Sequence, residues 1–108
     1  MTPPTKGMNI QTQDPQTLKV TGVAELAAPD ASQARDAIVS ALQPDHTTLL
    51  LDLSSATFLD SSGLGALISL HKRMRARNGV LRLLNPAPAV MQILELTRLH
   101  RVFDIAAP

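Results

Sequence analysis

The residues of this chain best suited to chemistry gather in one short segment, Phe58-Leu-Asp-Ser-Ser-Gly-Leu-Gly-Ala66. An aspartate, two adjacent serines and two glycines at the start of a helix-forming run can cap the helix, cradle a phosphate or present a hydroxyl. Capping asks for only one of Asp60, Ser61 and Ser62, whose side-chain oxygen would accept a hydrogen bond from an unpaired first-turn amide for about 1 kcal/mol. It leaves the other polar residues unexplained, and Gly63 and Gly65 each cost about 1 kcal/mol relative to alanine inside a helix. A helix start stripped of side-chain bulk lets another molecule's backbone or flat surface come close and reach the hydroxyls. The segment therefore reads as a recognition or modification surface, with capping alone as the alternative.

Other chemistries fit less well. The glycine spacing is similar to that of phosphate-binding loops but lacks the third glycine of G-x-G-x-x-G and the lysine of a P-loop. Ser61 follows Leu59 and Asp60, so it does not sit in a G-x-S-x-G nucleophile elbow. His71 lies ten residues further along the same helix, roughly 15 Å away at about 1.5 Å per residue, beyond hydrogen-bond reach. His46 and His100 have no position that sequence alone assigns, and three scattered histidines are expected at the surface rather than as ligands or bases. Asp52-Leu-Ser54-Ser-Ala56 resembles the start of a metal-dependent adhesion site, but Ala56 replaces a hydroxyl ligand, so no metal is expected. The run His71-Lys-Arg-Met-Arg-Ala-Arg77 places cations in the last turns of a helix, where they complement the macrodipole as a solvated face. No aromatics interleave it and the net charge is +1, which argues against direct nucleic-acid binding.

The elements that must position this segment follow from composition and periodicity. The 108 residues suffice for one domain that buries roughly 65% of its unfolded surface. With 44% apolar but 2% aromatic residues the core must be aliphatic. There is no cysteine for a disulfide or thiolate site. No stretch approaches the ~20 apolar residues of a membrane span, so no membrane insertion and a cytoplasmic location are expected. Residues 1–7 read as a flexible tail and 8–108 as the domain. Strand-like runs at Met8–Thr12 and Thr17–Val23, separated by Asp14-Pro15-Gln16, predict a hairpin. Ala34, Ala37, Ile38, Ala41 and Leu42 predict a helix entered at Pro29-Asp30 and ended by Pro44. Thr47–Leu53 is nearly all apolar, as for a central strand covered on both faces. A loop, Ser54–Leu59, leads to a second helix over about Ser61–Arg77, stopped by Asn78-Gly79, with Leu64, Leu67, Ile68 and Met74 inward. A strand at Val80–Leu84, a helix at Pro86–Thr97 and a short strand at Val102–Ile105 complete the chain. The fold class is α/β: one domain with a mixed four- to five-stranded sheet, an antiparallel hairpin followed by parallel strands, and three to four helices. The serine-bearing loop then falls at the carboxyl end of the central strand, where open α/β sheets collect their sites.

Leu50-Leu-Asp-Leu53 followed by Phe58-Leu-Asp-Ser-Ser-Gly-Leu-Gly-Ala-Leu67 resembles the signature of bacterial anti-sigma factor antagonists, in the sulfate transporter and anti-sigma antagonist (STAS) domain family. The stretch from Asn85 to Leu99 and on to Ile105 is similar to that family's third helix and closing strand. The resemblance implies a regulator, not an enzyme. Its serine directly after the motif aspartate, here Ser61, would be phosphorylated by an anti-sigma factor that is a serine kinase and restored by a serine phosphatase. ATP and Mg²⁺ would belong to the kinase, leaving this chain without a cofactor. The unphosphorylated form would bind the anti-sigma factor and free a sigma factor, through Asp60, Ser61, Ser62, Gly63, Leu64, Gly65 and, from the neighbouring loop, Glu25. That loop, Gly22-Val-Ala-Glu-Leu-Ala-Ala-Pro-Asp30, is longer and more apolar than is common in the family. Two other readings compete: a constitutive STAS scaffold subunit of a lipid-transport or stress-sensing complex, and a small serine hydrolase using Ser61 or Ser62.

Overall fold

The computed structural model describes residues 7–106. The tail expected over residues 1–7 lies, apart from Gly7, outside them. Strand β1 (Asn9–Asp14) pairs antiparallel with β2 (Thr17–Thr21) as the hairpin pattern requires. Their turn is closed by the Gln16 amide donating to Asp14 Oδ1 at 2.9 Å. Next come a two-residue strand β3 (Glu25–Leu26), helix α1 (Asp30–Ala41) and strand β4 (Thr48–Asp52). A second two-residue strand, β5 (Phe58–Leu59), precedes helix α2 (Ser61–Ala76) and strand β6 (Val80–Leu84). Helix α3 (Pro88–Leu96), a 3-10 turn (Leu99–Arg101) and β7 (Asp104–Ala106) end the domain. The main sheet has the order β1-β2-β4-β6-β7, with every pairing after the first parallel, so β4 is its middle strand as expected.

The expectation that β4 is covered on both faces is corrected. Leu49 and Leu51 are buried, whereas Leu50 between them is only half-buried. The neighbouring strands alternate in the same way: Leu18, Val20, Leu81 and Leu83 face the core, and Lys19 and Arg82 do not. Register aligns Lys19, Leu50, Arg82 and Asp104 across the outer face, where Arg82 Nε donates to Asp104 Oδ2 at 2.9 Å. The aliphatic stems of Lys19 and Arg82 flank Leu50, a setting in which an apolar side chain needs no helix above it. The core therefore gathers on one side of the sheet. Ala34 and Ile38 of α1, Leu67, Leu70 and Met74 of α2 and Val90 and Leu94 of α3 join the strand leucines in one aliphatic cluster.

Several boundaries moved. The third helix begins at Pro88, a favoured first-turn proline, rather than Pro86. The last strand begins at Asp104 because Leu99–Arg101 is spent on a 3-10 turn. Helix α2 ends as the Asn78-Gly79 pair predicts, but the left-handed residue is Asn78, with φ 59°. Gly79 is small for another reason: a Cβ there would strike the Thr47 carbonyl oxygen.

His46, expected at the surface, is buried. Its Nδ1 accepts the Gln43 amide at 2.9 Å, which places the ring proton on Nε2, 3.3 Å from Thr12 Oγ1. The carbonyls of Gln43 and His46 accept from Arg77 Nη1 at 2.7 and 3.0 Å. The last cation of the basic run thus ties α2 to the loop before β4 instead of joining a solvated face. Replacing His46 with alanine leaves the Gln43 amide without its acceptor, and should lower the unfolding free energy by about 1–3 kcal/mol in urea titration.

Candidate functional site

The site is built where β4 ends. The Ser54 amide donates to Asp52 Oδ1 at 2.8 Å and the Ala56 amide to the Leu53 carbonyl at 3.1 Å, turning the chain back toward β3. Ala56 points into the core and is fully buried. The Thr57 amide reaches the Ala24 carbonyl at 3.2 Å, and Phe58 and Leu59 then pair in parallel with Glu25 and Leu26. This short ladder alternates like any strand pair: Leu26 and Leu59 face the core, Glu25 and Phe58 face out. The segment read as a loop from Ser54 to Leu59 therefore carries a strand that fixes the approach to α2.

Asp60 joins the two sides. Its amide donates to the Leu26 carbonyl at 3.1 Å, its Oδ1 accepts the Gly63 amide at 3.1 Å and its Oδ2 accepts the Ala28 amide at 3.2 Å. It is the N-cap of α2, with an extended backbone (φ −115°, ψ −171°). Of the three capping candidates it takes the role, which leaves both serine hydroxyls without this duty. The Gly63 amide, the largest influence, holds the Asp60 carboxyl below the ordinary aspartate range; desolvation, the next largest, opposes it, and the amides of Ala28 and Ser62 add to the lowering. At Asp52, burial pushes the carboxyl upward, but hydrogen bonds from Ser54 and Asn85 and the charge of Lys19 together outweigh it, and the net shift is downward.

Ser61 and Ser62 occupy the first two positions of α2 and are exposed. Gly65 is exposed, with no atom within 4 Å of where a Cβ would stand, and Leu64 is half-buried. Glu25 is exposed beside Phe58. Gly63 departs from the expected surface and is corrected: it is buried, and a Cβ there would collide with the Leu26 carbonyl oxygen and lie 2.5 Å from Leu59 Cδ1. Its missing side chain serves the packing of α2 against β3, not the approach of a visitor. His71 packs edge-on against the Phe103 ring, 5.5 Å between centroids, and so is engaged away from the serines.

Phe58 is the site residue that sequence reasoning missed. It is 56% exposed, although its segment reads as apolar. The available signal was the alternation of Phe58 with the inward Leu59, but a two-residue strand is too short for a period to show.

An exposed serine at the amino end of a helix thus lies near an exposed aromatic, a carboxylate and a bare glycine, on a sheet with its helices gathered to one side. The chain belongs to the STAS domain family, whose pattern matches residues 9–107. It is 37% identical over 57 residues to a STAS-domain containing protein of Pseudomonas aeruginosa, a match covering 53% of this chain and 56% of that protein. It is 26% identical over 95 residues, 88% of this chain and 86% of the relative, to the anti-sigma-B factor antagonist of Bacillus subtilis. Among solved structures it is similar to the Bacillus cell fate determinant SpoIIAA in its phosphorylated form. That likeness has a TM-score of 0.71 and 25% identity, covering 92% of this chain and 90% of that one.

The two glycines separate cleanly by experiment. Gly63→Ala should destabilise the domain by about 1–3 kcal/mol through overpacking, whereas Gly65→Ala should stabilise it by about 0.5–1 kcal/mol. Chemical denaturation of both variants reads the difference. Because the Asp52 and Asp60 carboxyls lie below the free aspartate value of about 3.9, the stability they contribute is present above that pH. It drains as pH falls through their folded values. Asp60→Asn keeps a capping oxygen but no charge, so the gap in urea midpoint between it and wild type should narrow between pH 7 and pH 3.

Proposed function

We propose that this chain is an anti-sigma factor antagonist whose binding is switched off by phosphorylation of Ser61. The observation that carries the reading is the position of that serine: exposed, first in α2, and relieved of capping by Asp60. The relatives named as anti-sigma-B factor antagonists, and the likeness to a protein solved in a phosphorylated form, support the same reading.

The partner is an anti-sigma factor that is itself a serine kinase. In the modification the Ser61 Oγ attacks the γ-phosphorus of ATP held with Mg²⁺ on that partner. An Oγ–P bond forms, the bond from the γ-phosphorus to the bridging oxygen breaks, ADP leaves, and the hydroxyl proton passes to the kinase or to solvent. A serine phosphatase returns the hydroxyl by hydrolysis. This chain contributes the nucleophilic hydroxyl and its placement, and catalyses nothing itself.

The switch works because the same dianion is tolerated by one protein and not by the other. A phosphoryl group adds about −1.5 to −2 charges, and at a helix amino end the dipole favours an anion. Asp60 already holds the Gly63 amide, so the phosphate points outward and stays hydrated. A docked partner would have to strip that hydration next to the Asp60 carboxylate. An unpaired buried phosphate costs several kcal/mol, and each 1.4 kcal/mol is about tenfold in affinity. Phe58 supplies the apolar anchor of the unphosphorylated interface and Glu25, its cross-strand neighbour, the charged rim.

Incubation with the anti-sigma serine kinase of the same genome and Mg·ATP should add one phosphate, located at Ser61 by tryptic mass spectrometry. A chain that binds this kinase but remains unmodified would refute the phospho-switch. Ser61→Asp should weaken binding at least about tenfold while Ser61→Ala binds as wild type. Phe58→Ala should cost roughly thirtyfold in affinity, about 2 kcal/mol, as an aromatic anchor does. Its folding stability should barely change, since the ring is exposed.

A further inference from the structure

Gly63 has an internal reason to be glycine and Gly65 has none. Gly65 stands exposed inside α2 with open space above it, carrying the full helix penalty of about 1 kcal/mol with no packing in return. It forms one end of a shallow depression of ≈ 480 Å³, lined by Gly65, Ile68, Ser69, Lys72, Arg73 and Ala76. All these residues belong to one helix. At about 100° per residue they form a single stripe whose amino end is bracketed by Ser61 and Ser62, on the side of α2 opposite the buried Gly63, Ala66, Leu67, Leu70 and Met74.

Size, shape and charge together limit what can lie there. From Gly65 to Ala76 the trough runs about 16 Å, three turns of α2, and a glycine at its head allows the close helix crossing that bulkier residues block. Lys72 and Arg73 stand along its far half, exposed. Among the described residues the ion pairs are Arg35 with Asp36 and Arg82 with Asp104, so neither cation of the trough has a carboxylate of its own. A standard interface of about 800 Å² per partner is a disc of roughly 16 Å radius. The rise from Ser61 to Lys72 is also about 16 Å. A protein centred on Ser61 thus extends over the depression from Gly65 as far as Lys72.

We propose that the α2 trough seats an acidic helix of the anti-sigma partner, its backbone crossing over Gly65 and its carboxylates set on Lys72 and Arg73. This rests on the antagonist reading and extends it: Ser61 is the switch, and the trough is where the partner is recognised. Reading the two cations by carboxylates also gives the complex a salt dependence that Phe58 alone would not impart.

The test titrates the purified, nucleotide-loaded anti-sigma serine kinase of the same genome against the full chain and its variants at low and physiological salt. The double reversal Lys72→Glu/Arg73→Glu should lower affinity about tenfold or more and flatten the salt dependence. Gly65→Leu should lower it by a similar factor without lowering the thermal midpoint, since leucine favours a helix. Arg98→Glu, exposed and outside the trough, should bind as wild type. If wild type binds and Ser61→Asp does not, yet either the charge reversal or Gly65→Leu binds normally, the trough proposal is overturned and the antagonist reading stands. If wild type itself fails to bind, both fall.

Discussion

The structure turns on one carboxylate that serves two amides. Asp60 accepts from Gly63 on α2 and from Ala28 on the turn into α1, while its own amide is held by Leu26. Those links bring the amino end of a helix against a two-residue strand that has little to hold it by itself. The contact is close because residue 63 has no side chain, and the Leu26 carbonyl occupies the space a methyl group would need. With the cap assigned to Asp60, the serine that follows carries a hydroxyl free of this duty.

The one-sided sheet sets which side of each strand is buried. Leu49 and Leu51 of the middle strand bury inward with the helices, and Leu50 turns to a face flanked by Lys19 and Arg82. The aliphatic cluster lies between sheet and helices, so the loop leaving β4 is carried up over the core and emerges at its rim. Phe58 and Glu25 are displayed there by the same alternation that buries Leu59 and Leu26. Buried packing and exposed side chains are thereby divided between opposite faces of single elements. α2 packs with Leu67, Leu70 and Met74 and exposes Ser61, Gly65 and Lys72.

Much of the architecture was readable from local pattern. The hairpin, the helix entered at Asp30, the leucine-rich strand, the helix from Ser61 and the strand at Val80 each have a period or a stop signal long enough to show. The exposed serine beside a small-residue helix start was readable too, because residue type and order carry it. What escaped depended on a partner distant in sequence. The pairing of β3 with β5 spans 33 positions between Glu25 and Phe58, and neither strand is long enough to announce itself. His46 looks like any loop histidine until Thr12, Gln43 and Arg77 close around it. Gly63 and Gly65 are indistinguishable as letters, and only the Leu26 carbonyl tells them apart.

The sequence by itself determined the kind of fold, the middle strand and the segment in which chemistry is possible, since these follow from periodicity, turn residues and motif order along a few neighbouring positions. Tertiary structure alone decided which glycine is packing and which is surface, which of three polar residues caps the helix, that Phe58 is displayed, and that one face of the sheet is left open. The physical reason is the same in each case: burial and hydrogen bonding are properties of pairs of groups, and the second member of each pair lies too far along the chain for any local pattern to name it.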